Sequence, residues 1–251
     1  MLNSHILQGD GLDFMAKCGP LFDLIVTSPP YNMGIPYNGY KDNRPWNEYE
    51  DNLLTPLAWN SFAALREGGR LCVNFPGYAP GKRDAPHHIV FGARALTVGF
   101  TLLAEIIWDQ GVGARTAWGS WLSPSAPRFP AHHEIIQIWC KGGLKRMDRK
   151  GAGDCTHEEF SGWATSIWKF GGRGSKDHPA IFPEELPYRL IKMLTWPGDC
   201  VLDPFVGSGT TVCMATRLGR VGVGVEISPI YAKIAEQRLD LVLNPPYKEP
   251  Y

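Results

Sequence analysis

"DCVLDPFVGSGTTVCMATRLGRVGVGVE" occupies residues 199–226 and reads as strand, glycine turn, helix, strand. Gly207 and Gly209 let the backbone approach a ligand closely, and the helix opening at about 209 offers unpaired N–H groups to it. Nineteen residues after Gly207 the strand "VGVGVE" ends in Glu226. An acid at the tip of a second strand can bridge two ribose hydroxyls. Asp203, inside the turn, adds to a pattern that points to a nucleoside cofactor. The pattern lacks G-x-G-x-x-G, so it is no dinucleotide fingerprint, and no Lys follows the glycines as a P-loop requires.

Working outward, short apolar runs alternate with helical patterns along the whole chain, which indicates α/β architecture. Strands are expected near 5–8, 22–27, 70–75, 102–108, 134–140, 199–203 and 221–226, and helices near 11–17, 50–66, 87–98, 184–195, 209–218 and 229–243. The pattern fails over 109–133 and 141–180, which are rich in Gly, Pro, Ser and Trp. Long irregular segments in a compact domain are usually functional loops. The strand "FDLIV" runs into "TSPPYNMG", residues 27–34. Two consecutive prolines stop a strand and cannot enter a helix interior, so Ser28 and Tyr31 ride on a stiff turn. A second copy, "NPPY" at 244–247, ends a helical pattern and reads as a helix stop.

The 251 residues suit one domain, with 109–165 as inserted loops. Net charge is zero, which argues against indiscriminate nucleic-acid binding. The distribution is uneven. Residues 111–176 hold ten Lys/Arg against five Asp/Glu, so that segment is +5 and the remainder −5. The densest part is "KGGLKRMDRK", 141–150. No apolar run approaches the ~18 residues of a membrane span, and the first residues carry no secretory pattern. The six cysteines are scattered without a CxxC pair, as ordinary thiols of a reduced, cytoplasmic protein. His87-His88 and His132-His133-Glu134 do not match H-E-x-x-H, and no metal is expected.

"DPFVGSGTT" resembles the S-adenosyl-L-methionine motif of the amino-methylating DNA methyltransferases, Asp-Pro-Phe-x-Gly-Ser-Gly-Thr. "TSPPY" resembles their catalytic motif, (Asp/Asn/Ser)-Pro-Pro-(Tyr/Phe), and "HPAIFP" at 178–183 their third element. Catalytic motif first and cofactor motif last is the order of the β group. The resemblance implies a Rossmann-like methyltransferase fold, circularly permuted, with a seven-stranded sheet in which the first strand lies beside the last. It implies cofactor contacts from Asp10, from His178, Pro179, Ala180 and Phe182, from Asp203, Pro204, Phe205, Gly207, Ser208, Gly209 and Thr210, and from Glu226. Asp10 would face the adenine near Glu226.

The resemblance also implies catalysis by Ser28, Pro29, Pro30 and Tyr31. The target would be an exocyclic amino group, cytosine N4 or adenine N6, on a base flipped out of double-stranded DNA. Its nitrogen lone pair is delocalised into the ring. Ser28 Oγ and the Pro29 carbonyl can accept its two hydrogens, and Tyr31 can stack on the base. Within the resemblance, serine in the first motif position is more typical of the cytosine-N4 enzymes, and Asp or Asn of the adenine-N6 ones, which favours cytosine N4; a neutral hydroxyl also avoids burying a charge, an argument that does not exclude adenine. DNA contacts are expected from Arg115, Trp118, Trp121 and Arg128, and from Lys145, Arg146, Arg149 and Lys150. A restriction–modification setting with a cognate endonuclease, and a homodimer, would fit. The rivals are an RNA or protein-amide methyltransferase and an inactive DNA-binding relative.

Overall fold

The structure is a computed structural model that describes residues 3–35, 37, 40–77, 86–111, 124–125, 129, 131–147, 151–171 and 183–245. β2 (Phe22–Thr27) is buried along its whole length. Ile25 packs into one apolar layer, and Leu24 and Val26 into another. That explains a continuous apolar run with no alternation: a parallel strand covered on both faces has no solvent side. β7 (Cys200–Asp203) behaves likewise, with Leu202 in the first layer and Val201 in the second.

The remaining strands are β1 (His5–Gln8), β3 (Leu65–Pro76), β4 (Thr101–Asp109), β5 (His133–Cys140), β6 (Ile167–Lys169) and β8 (Val221–Glu226). Their order in the sheet is β1-β8-β7-β2-β3-β5-β4-β6. β1 pairs in parallel with β8, His5 opposite Val223 through Gln8 opposite Glu226, so the first strand does lie beside the last. β5 runs antiparallel to both β3 and β4.

The seven-stranded expectation is corrected by β6, which adds an eighth strand parallel to β4. Three residues amid Gly and Trp are too few to show a period. Just before it, α5 (His157–Trp163) is closed by a capping box between Thr156 and Glu159. Trp168 anchors β6 in the second layer, so part of the expected irregular stretch is framework.

α1 (Gly11–Cys18), α3 (Thr55–Ala64) and α4 (His87–Val98) cover one face of the sheet. α6 (Glu185–Leu194), α7 (Thr210–Arg217) and α8 (Pro229–Leu243) supply the cover of the other. The single helix expected over 50–66 is a π-helical turn over Glu50–Leu54 followed by α3, which stops at Ala64 where β3 begins, and a short α2 (Trp46–Tyr49) precedes them. α8 ends at Leu243, so the second Pro-Pro-Tyr copy starts where the helix stops. Its Pro246 and Tyr247 lie outside the described residues.

α1 is held close to the glycine turn. A Cβ on Gly11 would sit 1.9 Å from the Pro204 carbonyl oxygen, so only glycine fits there. Gly209, at φ +89°, opens α7 in the left-handed region and packs against Ala235 of α8.

Candidate active site

β2 and β7 end side by side at the point where the connections diverge to opposite faces of the sheet, the usual ligand crevice of such folds. A cleft of about 200 Å³ opens there. Its walls carry the predicted Asp10, Ser28, Pro29, Pro30, Tyr31, Pro204, Phe205, Gly207, Ser208, Thr210 and Glu226. Two motifs from opposite ends of the chain thus share one cavity.

Asp203 and Gly209 depart from the expected wall. Asp203 is 1% exposed and acts as a brace below the cleft. Its Oδ1 accepts from Thr27 Oγ1 (2.8 Å) and from the Phe205 N–H (3.1 Å), and its Oδ2 accepts from Thr211 Oγ1 (2.7 Å). Burial outweighs these three donors and pushes its carboxyl up to about 6. Gly209 sets the helix start without lining the cavity.

Glu226 ends β8. Its Oε2 accepts from the Gly207 N–H and its Oε1 from the Ser228 N–H, both at 2.9 Å. A carboxylate offers about four lone-pair sites, so acceptor capacity remains on each oxygen. Burial raises its pKa against the pull of these backbone donors. Asp10 caps α1 through Leu12 N (2.8 Å) and Asp13 N (3.2 Å), and the neighbouring Gly9 N–H bonds the Glu226 carbonyl at 2.9 Å. This set fits a cationic nucleoside: an acid with spare acceptors beside a glycine turn, facing aromatic side chains.

On the opposite wall, Ser28 Oγ is hydrogen-bonded to Tyr31 Oη. Tyr31 also reaches the Asn74 carbonyl and Glu134 Oε2, each at 3.2 Å. Burial and the Glu134 charge hold its phenol well above the usual value. The Pro30 carbonyl is taken by Tyr49 Oη at 2.8 Å, whereas Pro29 lines the cleft. His87 braces the turn from α4, its Nε2 2.9 Å from the Tyr31 carbonyl.

Sequence reading missed Tyr37, Tyr40, Arg44 and Tyr231, which also line the cleft. The first three are brought over it by a clip. Asp42 accepts from the N–H groups of Asn32, Met33 and Ile35 at 2.8–3.0 Å, and Asn32, at φ +55°, exchanges two bonds with the Arg44 backbone. The signal was present as a tyrosine pair and an Asp-Asn-Arg run just after the catalytic motif.

Arg146 is the clear correction. It was expected on DNA, yet its side chain is 7% exposed and bonds Asp23 Oδ1 (3.1 Å) and Asp199 Oδ2 (3.0 Å), with its guanidinium over Trp196. Two buried carboxylates at the strand starts demand a cation, and no local pattern announces that. Lys145 beside it is exposed. Arg115, Trp118, Trp121, Arg128, Arg149, Lys150, His178, Pro179, Ala180 and Phe182 lie outside the described residues.

Fold and cleft together define the permuted, Rossmann-like class of S-adenosyl-L-methionine-dependent methyltransferases. Residues 22–237 match the DNA methylase family of N6/N4 amino-methyltransferases, and the chain belongs to that family. It is 32% identical over 280 residues to the type II methyltransferase M.MjaI of Methanocaldococcus jannaschii, covering 95% of this chain and 92% of that one. It is 29% identical over 257 residues to the DNA adenine methyltransferase YhdJ of Escherichia coli, covering 94% and 82%. Among solved structures, the putative DNA modification methylase TTHA0409 of Thermus thermophilus, complexed with S-adenosyl-L-methionine, superposes with a TM-score of 0.74 at 30% identity and 97% coverage of both chains. Among the described residues no helix is long and apolar enough to cross a membrane.

Proposed function

We propose that this chain methylates the N4 amino group of cytosine in double-stranded DNA, at the Ser28–Tyr31 turn. The observation that carries the proposal is the shared cavity: Ser28 and Pro29 face the same cleft as Gly207 and Glu226. S-adenosyl-L-methionine, when bound, supplies an electrophilic methyl group on a sulfonium. Glu226 would hold the ribose with its spare lone pairs, and Asp10 would face the adenine. Asp203, Thr27 and Thr211 hold the turn in place. Pro204, Phe205, Ser208 and Thr210 shape the pocket around the nucleoside. His178, Pro179, Ala180 and Phe182 are proposed for the methionine end on the strength of the motif alone.

Ser28 Oγ and the Pro29 carbonyl would each accept one hydrogen of the target amino group. That frees the nitrogen lone pair for an in-line attack, with the rate supplied by positioning and preorganised dipoles. Tyr31 would contact the flipped base through its ring. Lys145, Arg149 and Lys150, with Arg115, Trp118, Trp121 and Arg128, would grip the duplex. Two copies of the chain would double that grip, and a cognate endonuclease would complete a restriction–modification pair.

Adenine N6 is the second reading, favoured by the likeness to an adenine methyltransferase. Labelled methyl transfer tests the substrate class. The label should enter duplex DNA and not RNA or protein. Label in RNA or protein alone, or in none of the three, would overturn the proposal.

A further inference from the structure

We propose that Glu134 is a positioning residue which, acting through Tyr31, fixes Ser28 as a hydrogen-bond acceptor towards the target amino group. The proposal rests on the amino-methyltransferase reading above.

A serine in the first motif position is ambiguous. Its hydroxyl can donate as well as accept, and a hydroxyl donating towards the target nitrogen would engage the very lone pair that must attack. Something has to set its direction. Ser28 Oγ has one partner of its own on the turn, Tyr31 Oη. The phenol has a single hydrogen and three acceptors in reach: Ser28 Oγ, and the Asn74 carbonyl and Glu134 Oε2 at 3.2 Å each. A carboxylate is the strongest acceptor of the three, so the phenol hydrogen goes to Glu134.

Asn74 Nδ2 donates both to Tyr31 Oη (3.1 Å) and to Glu134 Oε2, and Gln110 Nε2 donates to Glu134 Oε1 (2.8 Å). These donors keep the carboxylate in place. With the Tyr31 hydrogen committed, its oxygen can only accept from Ser28. The Ser28 lone pairs are then left for the amino hydrogens. Glu134 thereby gives a neutral hydroxyl the one-way polarity that an Asp in the same place would have by itself, without a charge against the base.

Glu134→Gln replaces the acceptor-only group by one that can also donate, and Tyr31→Phe removes the link while keeping the ring. Single-turnover methyl transfer to duplex DNA reads both. Each variant should lose about tenfold or more in rate. KM for DNA and Kd for S-adenosyl-L-methionine should stay within about twofold, and the double variant should be no slower than the worse single one. A Glu134→Gln rate equal to wild type, a loss confined to KM, or losses that multiply in the double variant would each overturn the proposal. Should Glu134→Gln fail to fold, Tyr31→Phe decides alone, because a wild-type rate without the phenol hydroxyl cannot coexist with this chain of bonds. A wild-type protein that transfers no methyl group to DNA would contradict the parent reading, and this one with it.

Discussion

Thr27 Oγ1 donates a 2.8 Å hydrogen bond to Asp203 Oδ1 across 176 positions of sequence. The bond ties the last residue of the strand that carries Ser28 to the last residue of the strand that carries the glycine turn. The two half-sites are therefore one buried unit, and changes to one are felt by the other.

Asp203 makes that unit pH-sensitive. Its carboxyl titrates at about 6 in the fold against an ordinary 3.8. Between those values the native chain binds more protons than the unfolded one, so this group's contribution falls as pH rises and is fully lost above about 6. Two pKa units correspond to roughly 3 kcal/mol. Asp203→Asn does not titrate. Urea unfolding at about pH 4.5 and about pH 7.5 should show the wild type losing about 2 kcal/mol relative to the variant. An unchanged difference would contradict the buried, protonatable brace.

Glu226→Ala should weaken S-adenosyl-L-methionine binding by roughly 10- to 150-fold, the equivalent of about 1.5–3 kcal/mol for hydrogen bonds to a charged acceptor. It also frees the Gly207 N–H, so part of the loss is turn geometry. Titration calorimetry with unchanged affinity would remove Glu226 from the cofactor site.

The basic segment splits into two behaviours. Arg146→Ala removes the cation shared by Asp23 and Asp199, whose side chains are 2% and 0% exposed, leaves Asp23 to Arg66, and should cost about 3–5 kcal/mol in chemical denaturation. Lys145→Glu with Arg149→Glu and Lys150→Glu should weaken duplex binding and flatten its salt dependence. DNA affinity and salt slope both equal to wild type would return these three residues to a solvated loop.

Both halves of the cleft were legible in the sequence, because each motif is local; the placing of the first strand beside the last came from the family resemblance those motifs carry. Ser-Pro-Pro-Tyr ends its own strand, and Asp203 to Glu226 is one strand–turn–helix–strand unit. What was not legible depends on tertiary partners. Arg146 reads as one more cation until the fold sets Asp23 and Asp199 beside it. Glu134 reads as part of a histidine pair until β5 brings it to Tyr31. β6 was hidden by its length, and the helix over 50–66 opens on a π turn that periodicity does not resolve.

Nucleoside mass spectrometry of duplex DNA methylated by the purified protein tests the central claim most directly. The wild type should produce N4-methylcytosine. Ser28→Ala should produce about a hundredfold less while binding S-adenosyl-L-methionine as the wild type does, since it removes an acceptor needed mainly in the transition state. N6-methyladenine without N4-methylcytosine would contradict the choice of base. A Ser28→Ala protein methylating at the wild-type rate would contradict the site.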